Sequence, residues 1–324
     1  MGIDTKIPVI DLEDFPNQSS SLIKACEDWG CFRIVNHKKM LPVSLMQEMK
    51  VVVRSLLDLP SEIKKRNTDV IVGSGYMAPS QVNPLYEALG LYDMASVDVV
   101  NEFCIQLDAS PQQRYCLNVD SEDMTNTLNN RDTIVRYAQA VNAVMIDIGQ
   151  KLGESLALAN VPFQEWPCQF RINKYNFTDE TVGSYGVQIH TDSGFFTILQ
   201  DDENVGGLEV MDKSGTYVPV DPWLGTLLVN LGDMATLWSN GRFCNVKHRV
   251  LCKEAATRIS IASFLLGPKE AAVEPPPELV DSSHSRLYTP ITYEDYRKMR
   301  ISTKMQAGEA LELIRSDSSI VNEN

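Results

Sequence analysis

The chain has 324 residues, of which 44% are hydrophobic and 22% are charged. This is ordinary globular composition, and the length allows one large or two small domains with a sizeable core. The formal net charge of −14 argues against nucleic acid and anionic membranes as partners, because phosphate groups are held by basic patches. An acidic small molecule is compatible with this charge, provided that nearby arginine or lysine side chains hold it.

The sequence predicts neither a secretory signal nor a membrane helix. No basic N-terminal region is followed by an apolar run and a cleavage site, and no stretch reaches the roughly 18 apolar residues that a membrane helix needs. The seven cysteines form no C-x-x-C pair and fit no zinc-finger spacing. We therefore expect free thiols in a reducing compartment and a cytoplasmic protein.

The N-terminal third predicts helices and one short strand, followed by a loop. Residues 19–30 have the apolar spacing of an amphipathic helix that ends at Gly30. Residues 31–35 alternate like a strand, and residues 41–59 predict a second helix. The run 68–100 is rich in Gly, Pro, Ser and Tyr, which predicts a long loop of the kind that is often functional.

The clearest helix is predicted at 133–158, where apolar residues recur at steps of three and four. A long helix of this kind typically backs a sheet. After it, the pattern changes to short β-prone runs broken by Gly, Asp and Asn. The candidate strands are 169–175, 186–190, 195–199, 207–210, 217–219, 226–230, 234–238, 246–252 and 258–265. Many short strands at nearly regular spacing favour a closed or double-sheet architecture such as a jelly roll.

The C-terminal part has a helical pattern at 291–316 with charged residues on its outer side. The last nine residues, 316–324, are typical of a frayed tail. No repeat and no low-complexity linker divides the sequence, so one domain is the simplest organisation.

The run HTDSG at 190–194 is the strongest functional signal, because His190 and Asp192 are followed by His248. Two imidazoles and one carboxylate on one face of a metal form the facial triad that leaves positions open on Fe(II). On a strand, the spacing i, i+2 points two side chains to the same side. The third ligand lies 56 residues after Asp192, which predicts a second strand that returns beside the first.

An arginine and a serine follow the third ligand at a fixed spacing. Arg258 and Ser260 form an R-x-S pair ten residues after His248, and both share one face of a predicted strand. H-x-D alone is weak evidence. The chain has only four histidines, however, and two of them fall at these positions beside the R-x-S, so the joint pattern favours a metal site.

These motifs resemble those of the plant 2-oxoglutarate- and Fe(II)-dependent dioxygenases, and the resemblance runs over nearly the whole chain. The matching segments are IPVIDL at 7–12, CEDWGCFRIVNH at 26–37, RINKY at 171–175, and the runs 190–210, 227–250 and 258–264. Within the family, the chain looks most like the dioxygenases for auxin oxidation, on the evidence of segments 66–76, 84–96 and 171–177.

The resemblance implies an α+β fold with a double-stranded β-helix, or jelly-roll, core flanked by helices and a helical N-terminal region. It implies one dioxygenase domain over residues 1–324. The expected parts are an N-terminal dioxygenase region at 1–100, a helical region at 101–165, the Fe(II)/2-oxoglutarate core at 166–270 and a C-terminal helical segment at 271–324.

The same resemblance implies the ligands of the site. Fe(II) is expected on His190, Asp192 and His248, and 2-oxoglutarate on Arg258, Ser260, Tyr175 and Asn173. A planar guanidinium such as that of Arg258 can pair with a carboxylate through two hydrogen bonds. The implied reaction cleaves 2-oxoglutarate to succinate and carbon dioxide with dioxygen, with ascorbate as the reductant. It oxidises a small organic substrate, here indole-3-acetic acid to 2-oxindole-3-acetic acid.

Three alternatives stay open at this point. The substrate could be another plant small molecule that is hydroxylated or demethylated, the iron could act without 2-oxoglutarate, or the chain could be a binding protein of the same fold.

The resemblance implies a substrate pocket at the mouth of the barrel. The wall candidates are Tyr76, Tyr86, Met94, Phe195 and Phe264, and the candidates for holding a substrate carboxylate are Arg171 and Arg297. We expect a monomer that binds a small molecule and dioxygen, without nucleic acid or membrane.

Overall fold

The computed structural model of the protein describes residues 7–107 and 122–316. The tail that we expect to be frayed lies, apart from its first residue, outside the described residues. No helix of the described part is long and apolar enough to cross a membrane.

Two β-sheets form the centre of the fold. The strands are β1 (Val9–Asp11), β2 (Cys31–Val35), β3 (Tyr86–Tyr92), β4 (Cys168–Asn176), β5 (Tyr185–His190), β6 (Phe196–Gln200), β7 (Leu208–Met211), β8 (Tyr217–Pro219), β9 (Leu227–Leu231), β10 (His248–Leu251), β11 (Thr257–Leu265), β12 (Ala272–Val273) and β13 (Ile291–Thr292). The larger sheet has the order β1-β2-β9-β6-β11-β4-β3, and the smaller has the order β5-β10-β7-β8. Strands β12 and β13 pair separately. The predicted α+β fold with a jelly-roll core is confirmed.

Helices flank the sheets. They are α1 (Ser19–Asp28), α2 (Val43–Leu57), α3 (Ser61–Lys64), α4 (Val97–Leu107), α5 (Glu122–Ser155), α6 (Asp233–Trp238) and α7 (Tyr293–Thr303). Met49 of α2 and Val141 of α5 belong to the same buried apolar cluster as Ile198 and Ile261 of the larger sheet. The apolar stripe of the long helix therefore backs the sheet, as its periodicity predicts.

A second buried cluster lies between the two sheets. It contains Tyr175 and Leu199 from the larger sheet together with Val210 and Val250 from the smaller one. The inner faces of the sheets thus pack on each other, and this interior is where the cavity described below opens.

Most elements follow local sequence patterns. The predicted helix at 19–30 is α1, which is followed by Gly30 at a φ of +65°, a conformation that glycine adopts at little cost. The helix predicted at 133–158 corresponds to α5, which begins earlier, at Glu122. Eight of the nine candidate strands correspond to β4–β11.

The prediction of a loop at 68–100 is wrong in its second half, which contains β3 and the start of α4. Strand β3 is buried over most of its length, so it lacks the polar alternation of a half-exposed strand. Packing also explains why residue 90 is a glycine. A Cβ atom there would lie 1.7 Å from the carbonyl oxygen of Ser74. The packed segment before β3 requires glycine in this strand.

Two other predictions are also corrected. The candidate strand at 234–238 is part of α6, in which all residues are buried, so neither a helical nor a strand periodicity is visible. The helix predicted at 291–316 covers only α7, which ends at Lys304 in the left-handed conformation, and a 3-10 turn follows at Glu309–Ile314.

Candidate active site

A cavity of about 410 Å³ lies between the two sheets. Strands β4 and β11 each present alternate residues to it, as the two-residue period of a strand requires. These residues are Arg171, Asn173 and Tyr175 from β4, and Arg258, Ser260, Ala262 and Phe264 from β11. The smaller sheet closes the other side with His248 and Val250.

Three potential metal ligands meet at one end of this cavity. One ligand atom each of His190, Asp192 and His248 lies within 4.8 Å of the others. The Nε2 atoms of His190 and His248 are 3.9 and 3.8 Å from Oδ1 of Asp192. His190 and His248 face each other in the register of β5 and β10, which confirms the predicted second strand beside the first.

Both histidines are oriented by their own chain segments. Nδ1 of His190 lies 2.9 Å from the carbonyl oxygen of Gln188, and Nδ1 of His248 lies 3.1 Å from that of Val246. A carbonyl only accepts, so Nδ1 carries the proton and Nε2 keeps its lone pair for a metal. Burial and the neighbouring His248 lower the pKa of His190 to about 4, which favours the neutral, ligating form.

Asp192 is placed by a turn rather than by a strand. His190 is the last residue of β5, so Asp192 lies beyond the strand on which the i, i+2 argument relied. The hydroxyl of Thr197 donates to Oδ2 of Asp192 at 2.5 Å, which leaves Oδ1 directed at the two histidines. The carboxylate therefore has one structural and one ligating oxygen.

Arg258 lies at the other end of the cavity and is almost completely buried, with 1% of its surface exposed. One nitrogen, Nη2, donates to Asp201, and the guanidinium lies 5.0 Å from the ring centre of Tyr175. Nε and Nη1 have no hydrogen-bond partner within the described part of the chain. A buried guanidinium with two free donors is a site for a carboxylate, since unpaired buried donors are costly.

A short chain of hydrogen bonds crosses the strands beside Arg258. The hydroxyl of Tyr86 donates to Asn173 Oδ1 at 2.8 Å, and Asn173 Nδ2 donates to the hydroxyl of Ser260 at 3.3 Å. Burial raises the pKa values of Tyr86 and Tyr175, so both phenols stay neutral donors. The four residues predicted for 2-oxoglutarate thus line one continuous surface.

The wall candidates divide into two groups. Tyr86 and Phe264 line the cavity, as does the carboxylate candidate Arg171. Met94 does not line it, and is buried in the cluster beneath the helices. Phe195 packs instead in an aromatic group, 5.5 Å from the ring of Trp166.

Tyr76 also lies outside the cavity lining. Its hydroxyl donates to Glu87 at 3.0 Å, and Glu87 lies on the opposite face of β3 from Tyr86. The cavity rim is formed instead by Met77, Val82 and Val187, which sequence reasoning did not identify.

A smaller cavity of about 210 Å³ adjoins the metal ligands on another side. Arg171, His190 and Asp192 line both cavities, whereas Arg297 lines only the smaller one. Arg297 donates from Nε and Nη2 to the carbonyl oxygen of Val72. Of the two basic candidates, only Arg171 thus reaches the larger cavity.

Comparison with known proteins agrees with this geometry. Residues 166–267 match the 2OG-Fe(II) oxygenase superfamily, and residues 7–97 match the N-terminal region described as non-haem dioxygenase in morphine synthesis. The 2-oxoglutarate-dependent dioxygenase DAO of Oryza sativa subsp. indica is 48% identical over 94% of this chain and 98% of the relative. The chain belongs to the 2OG-Fe(II) oxygenase superfamily.

Solved structures of related dioxygenases are similar over most of this dioxygenase. The crystal structure of dioxygenase for auxin oxidation in rice has a TM-score of 0.84 and 47% identity, and the match covers 96% of this chain and 100% of that one. Dioxygenase for auxin oxidation 1 from Arabidopsis thaliana, in a binary complex with 2-oxoglutarate, has a TM-score of 0.77 and 56% identity, covering 86% of this chain and 100% of that one. The expected class, an Fe(II)- and 2-oxoglutarate-dependent dioxygenase, is confirmed.

The side chains of this dioxygenase fit both Fe(II) and 2-oxoglutarate. Two Nε2 lone pairs and one carboxylate oxygen converge at one end, which is the donor set that Fe(II) takes in such oxygenases. The unpartnered Nε and Nη1 atoms of Arg258 supply the complementary charge for a carboxylate at the other end.

Proposed function

We propose that this dioxygenase oxidises indole-3-acetic acid to 2-oxindole-3-acetic acid while it converts 2-oxoglutarate to succinate and carbon dioxide. The observation that carries the proposal is its 48% identity, over 94% of the chain, to a relative named DAO, together with the matching structures of dioxygenases for auxin oxidation. The reaction consumes one dioxygen: one oxygen atom enters the indole ring and the other enters succinate.

We assign the metal end of the cavity to His190, Asp192 and His248. When bound there, Fe(II) supplies the activation of dioxygen that 2-oxoglutarate-dependent oxidation requires. The carbonyls of Gln188 and Val246 aim the two imidazoles. The ligands are therefore set for the metal before it binds, which limits the cost of reorganisation.

We assign the far carboxylate of 2-oxoglutarate to Arg258. Its Nε and Nη1 atoms have no partner among the described residues and can donate to a carboxylate, while Asp201 accepts from Nη2 and keeps the guanidinium fixed. The Ser260 hydroxyl lies on the same strand face and can donate to the same carboxylate. Tyr175, held neutral by burial, closes the wall beside them.

The substrate carboxylate is assigned to Arg171. This guanidinium is buried and donates to the carbonyl oxygens of Gly75, at 3.0 Å, and Gly73. It forms no ion pair with another described residue, so a substrate carboxylate would neutralise a charge that neutral carbonyls only partly stabilise. Val250 and Phe264 give the same cavity the apolar surface that an indole ring requires.

Succinate release tests the proposed reaction. Purified protein with Fe(II), ascorbate and 2-oxoglutarate should release succinate in proportion to added indole-3-acetic acid, and mass spectrometry should show a product heavier by one oxygen atom. Slow succinate release that does not depend on the acid would retain the dioxygenase and reject auxin as its substrate.

The variant Arg171→Met tests the carboxylate assignment. Because truncating one partner of a buried charge pair costs about 2–5 kcal/mol, we expect KM for indole-3-acetic acid to rise about thirtyfold or more. The KM for neutral indole-3-acetamide, which lacks the charge, should rise much less. The preference of the enzyme for the acid over the amide should therefore fall. Arg297→Met is the matched control, since this side chain lines only the smaller cavity. An unchanged preference in Arg171→Met would refute the assignment.

We also propose that residues 1–324 act as one dioxygenase domain, in a cytoplasmic monomer that uses dioxygen. Strands β1, β2 and β3 of the N-terminal region are part of the larger sheet, which supports one domain. The buried cysteines Cys26, Cys31, Cys168 and Cys252 form no disulfide within the described residues, as expected in a reducing compartment. Light scattering of the purified protein tests the monomer.

A further inference from the structure

The strand that carries Arg258 extends beyond its neighbour. In the pairing of β11 with β6, the last partners are Ile261 and Gln200. Residues 257–260 of β11 pair only with β4, on the other side. The segment that presents Arg258 and Ser260 to the cavity is thus an open strand edge, whose backbone groups need other partners.

Two charged side chains occupy this edge at Ile259, the residue between Arg258 and Ser260. The backbone N–H of Ile259 donates to Oδ2 of Asp202 at 2.8 Å. Its carbonyl oxygen accepts a hydrogen bond from Nζ of Lys50 at 2.5 Å. Both backbone groups on the open side are therefore bound by charges of opposite sign, and charge-assisted hydrogen bonds of this kind are strong.

Both partners are themselves fixed. Oδ1 of Asp202 accepts from the backbone N–H groups of Asn204 and Val205, each at 3.0 Å. Lys50 comes from α2 and is buried, with 8% of its surface exposed. One turn earlier on α2, the carbonyl oxygen of Met46 accepts from the side chain of Gln200 at 3.0 Å. Helix α2 is thus bonded to β11 and to β6 at adjacent turns.

Burying the ammonium group of Lys50 costs free energy, and a role in packing alone does not require that group. Burial lowers the pKa of Lys50 to about 8, against the attraction of Asp202 and Asp201. An apolar side chain would fill this position without that cost. What the ammonium adds is a fixed, directional bond to the backbone beside Arg258.

We propose that Lys50 and Asp202 form a backbone clamp on Ile259 that positions Arg258 and Ser260 for the carboxylate of 2-oxoglutarate. The inference rests on the assignment of Arg258 to 2-oxoglutarate made above. Without the clamp, residues 257–260 can shift on their open side, and Arg258 loses its alignment with the carboxylate. Lys50 and Asp202 are positioning residues, since they reach the co-substrate only through the backbone.

The test measures 2-oxoglutarate binding without any organic substrate. The protein is loaded with Mn(II), and the Kd for 2-oxoglutarate is determined by calorimetry. Lys50→Met should raise this Kd about tenfold, while the affinity for Mn(II) stays within about twofold of the parent protein. Hydrogen exchange in the metal-free protein should accelerate in the peptide that spans residues 257–261. Lys50→Arg, which keeps a charged donor, should recover most of the affinity.

Tyr137→Phe is the matched control. It removes another buried hydrogen bond between the helical layer and the sheet, the one from Tyr137 to Gln200 at 2.7 Å, but leaves the clamp intact. It should lower the melting temperature without changing the Kd for 2-oxoglutarate. This separates a general loss of stability from the loss of positioning.

Arg258→Met is measured in parallel to separate the two assignments. If Arg258→Met weakens binding while Lys50→Met leaves the Kd unchanged, the clamp is refuted and the role of Arg258 stands. If neither variant changes the Kd, both are refuted. Should Lys50→Met not fold, Lys50→Gln and Asp202→Asn replace it. An unchanged Kd for 2-oxoglutarate in both of these variants would also refute the clamp.

Discussion

The two ends of the cavity are oriented by different kinds of contact. At the metal end, each histidine is fixed by the carbonyl two residues before it, at Gln188 and Val246. At the co-substrate end, Arg258 is fixed by Asp201, 57 residues away in the sequence, and its backbone is held from α2, more than 200 residues away. The metal ligands thus carry their own orientation, whereas Arg258 depends on the packing of the whole sheet.

This difference predicts that a substitution at one end of the cavity leaves ligand binding at the other end unchanged. Metal affinity should respond to changes within the segments of the triad. Affinity for 2-oxoglutarate should respond to changes in distant elements, including a helix that does not line the cavity.

The largest effect is expected from the ligands themselves. His190→Ala, Asp192→Ala or His248→Ala removes one of three donors, so each should reduce turnover to about 1% or less and lower the iron content measured by mass spectrometry. Circular dichroism of the metal-free variants should match the parent protein, since the hydrogen bonds described for these side chains go to nearby groups: the carbonyls of Gln188 and Val246, and Thr197 for Asp192. Near-normal turnover in any one of the three would refute the metal assignment.

The next effect is expected at the opposite end. Arg258→Met should raise KM for 2-oxoglutarate about thirtyfold or more, because the carboxylate loses a buried charged partner. Arg258→Lys keeps the charge but loses the planar fork, and we expect an increase of about tenfold. Iron content should not change in either variant. A parallel loss of iron would show that the two ends of the cavity are coupled and not independent.

The same contrast explains what could be predicted from sequence. His190, Asp192 and His248 are found through their spacing: strand pairing brings the two histidines together, and the turn after β5 adds Asp192. Arg258 is found as well, since its R-x-S spacing lies on one strand face. Asp201 gives no signal in the sequence, because its role depends on which strands become neighbours.

Helix α2 shows most clearly what could not be predicted from the sequence. Its apolar spacing predicts a helix, and Lys50 on such a helix is expected to be a solvated charge. Its burial against Ile259 follows only from the position of α2 on the larger sheet. The segment interpreted as a loop contains β3. Tyr76 bonds to Glu87, on the face of β3 opposite Tyr86, and Met94, which follows the strand, packs in the buried cluster.

The smallest effect concerns the residue that orients the carboxylate of the triad. Asp192 is the one ligand beyond a strand end, and the hydroxyl of Thr197 holds its Oδ2 atom at 2.5 Å. Thr197→Val keeps the shape and removes that bond, so iron affinity should fall about tenfold, within the range known for partners of metal ligands. KM for 2-oxoglutarate should stay unchanged, because Arg258 is held independently.

Thr236→Val is the matched control for that variant. The Thr236 hydroxyl is buried and has no hydrogen-bond partner in the described part of the chain, so its removal should leave iron affinity as it is. Titration of the metal-free proteins with Fe(II) under anaerobic conditions gives both affinities. If Thr197→Val binds iron as tightly as the parent protein, the turn after β5 alone orients Asp192. All three metal ligands would then be oriented by their own chain segments. Arg258, which is held by distant residues, would differ from every one of them.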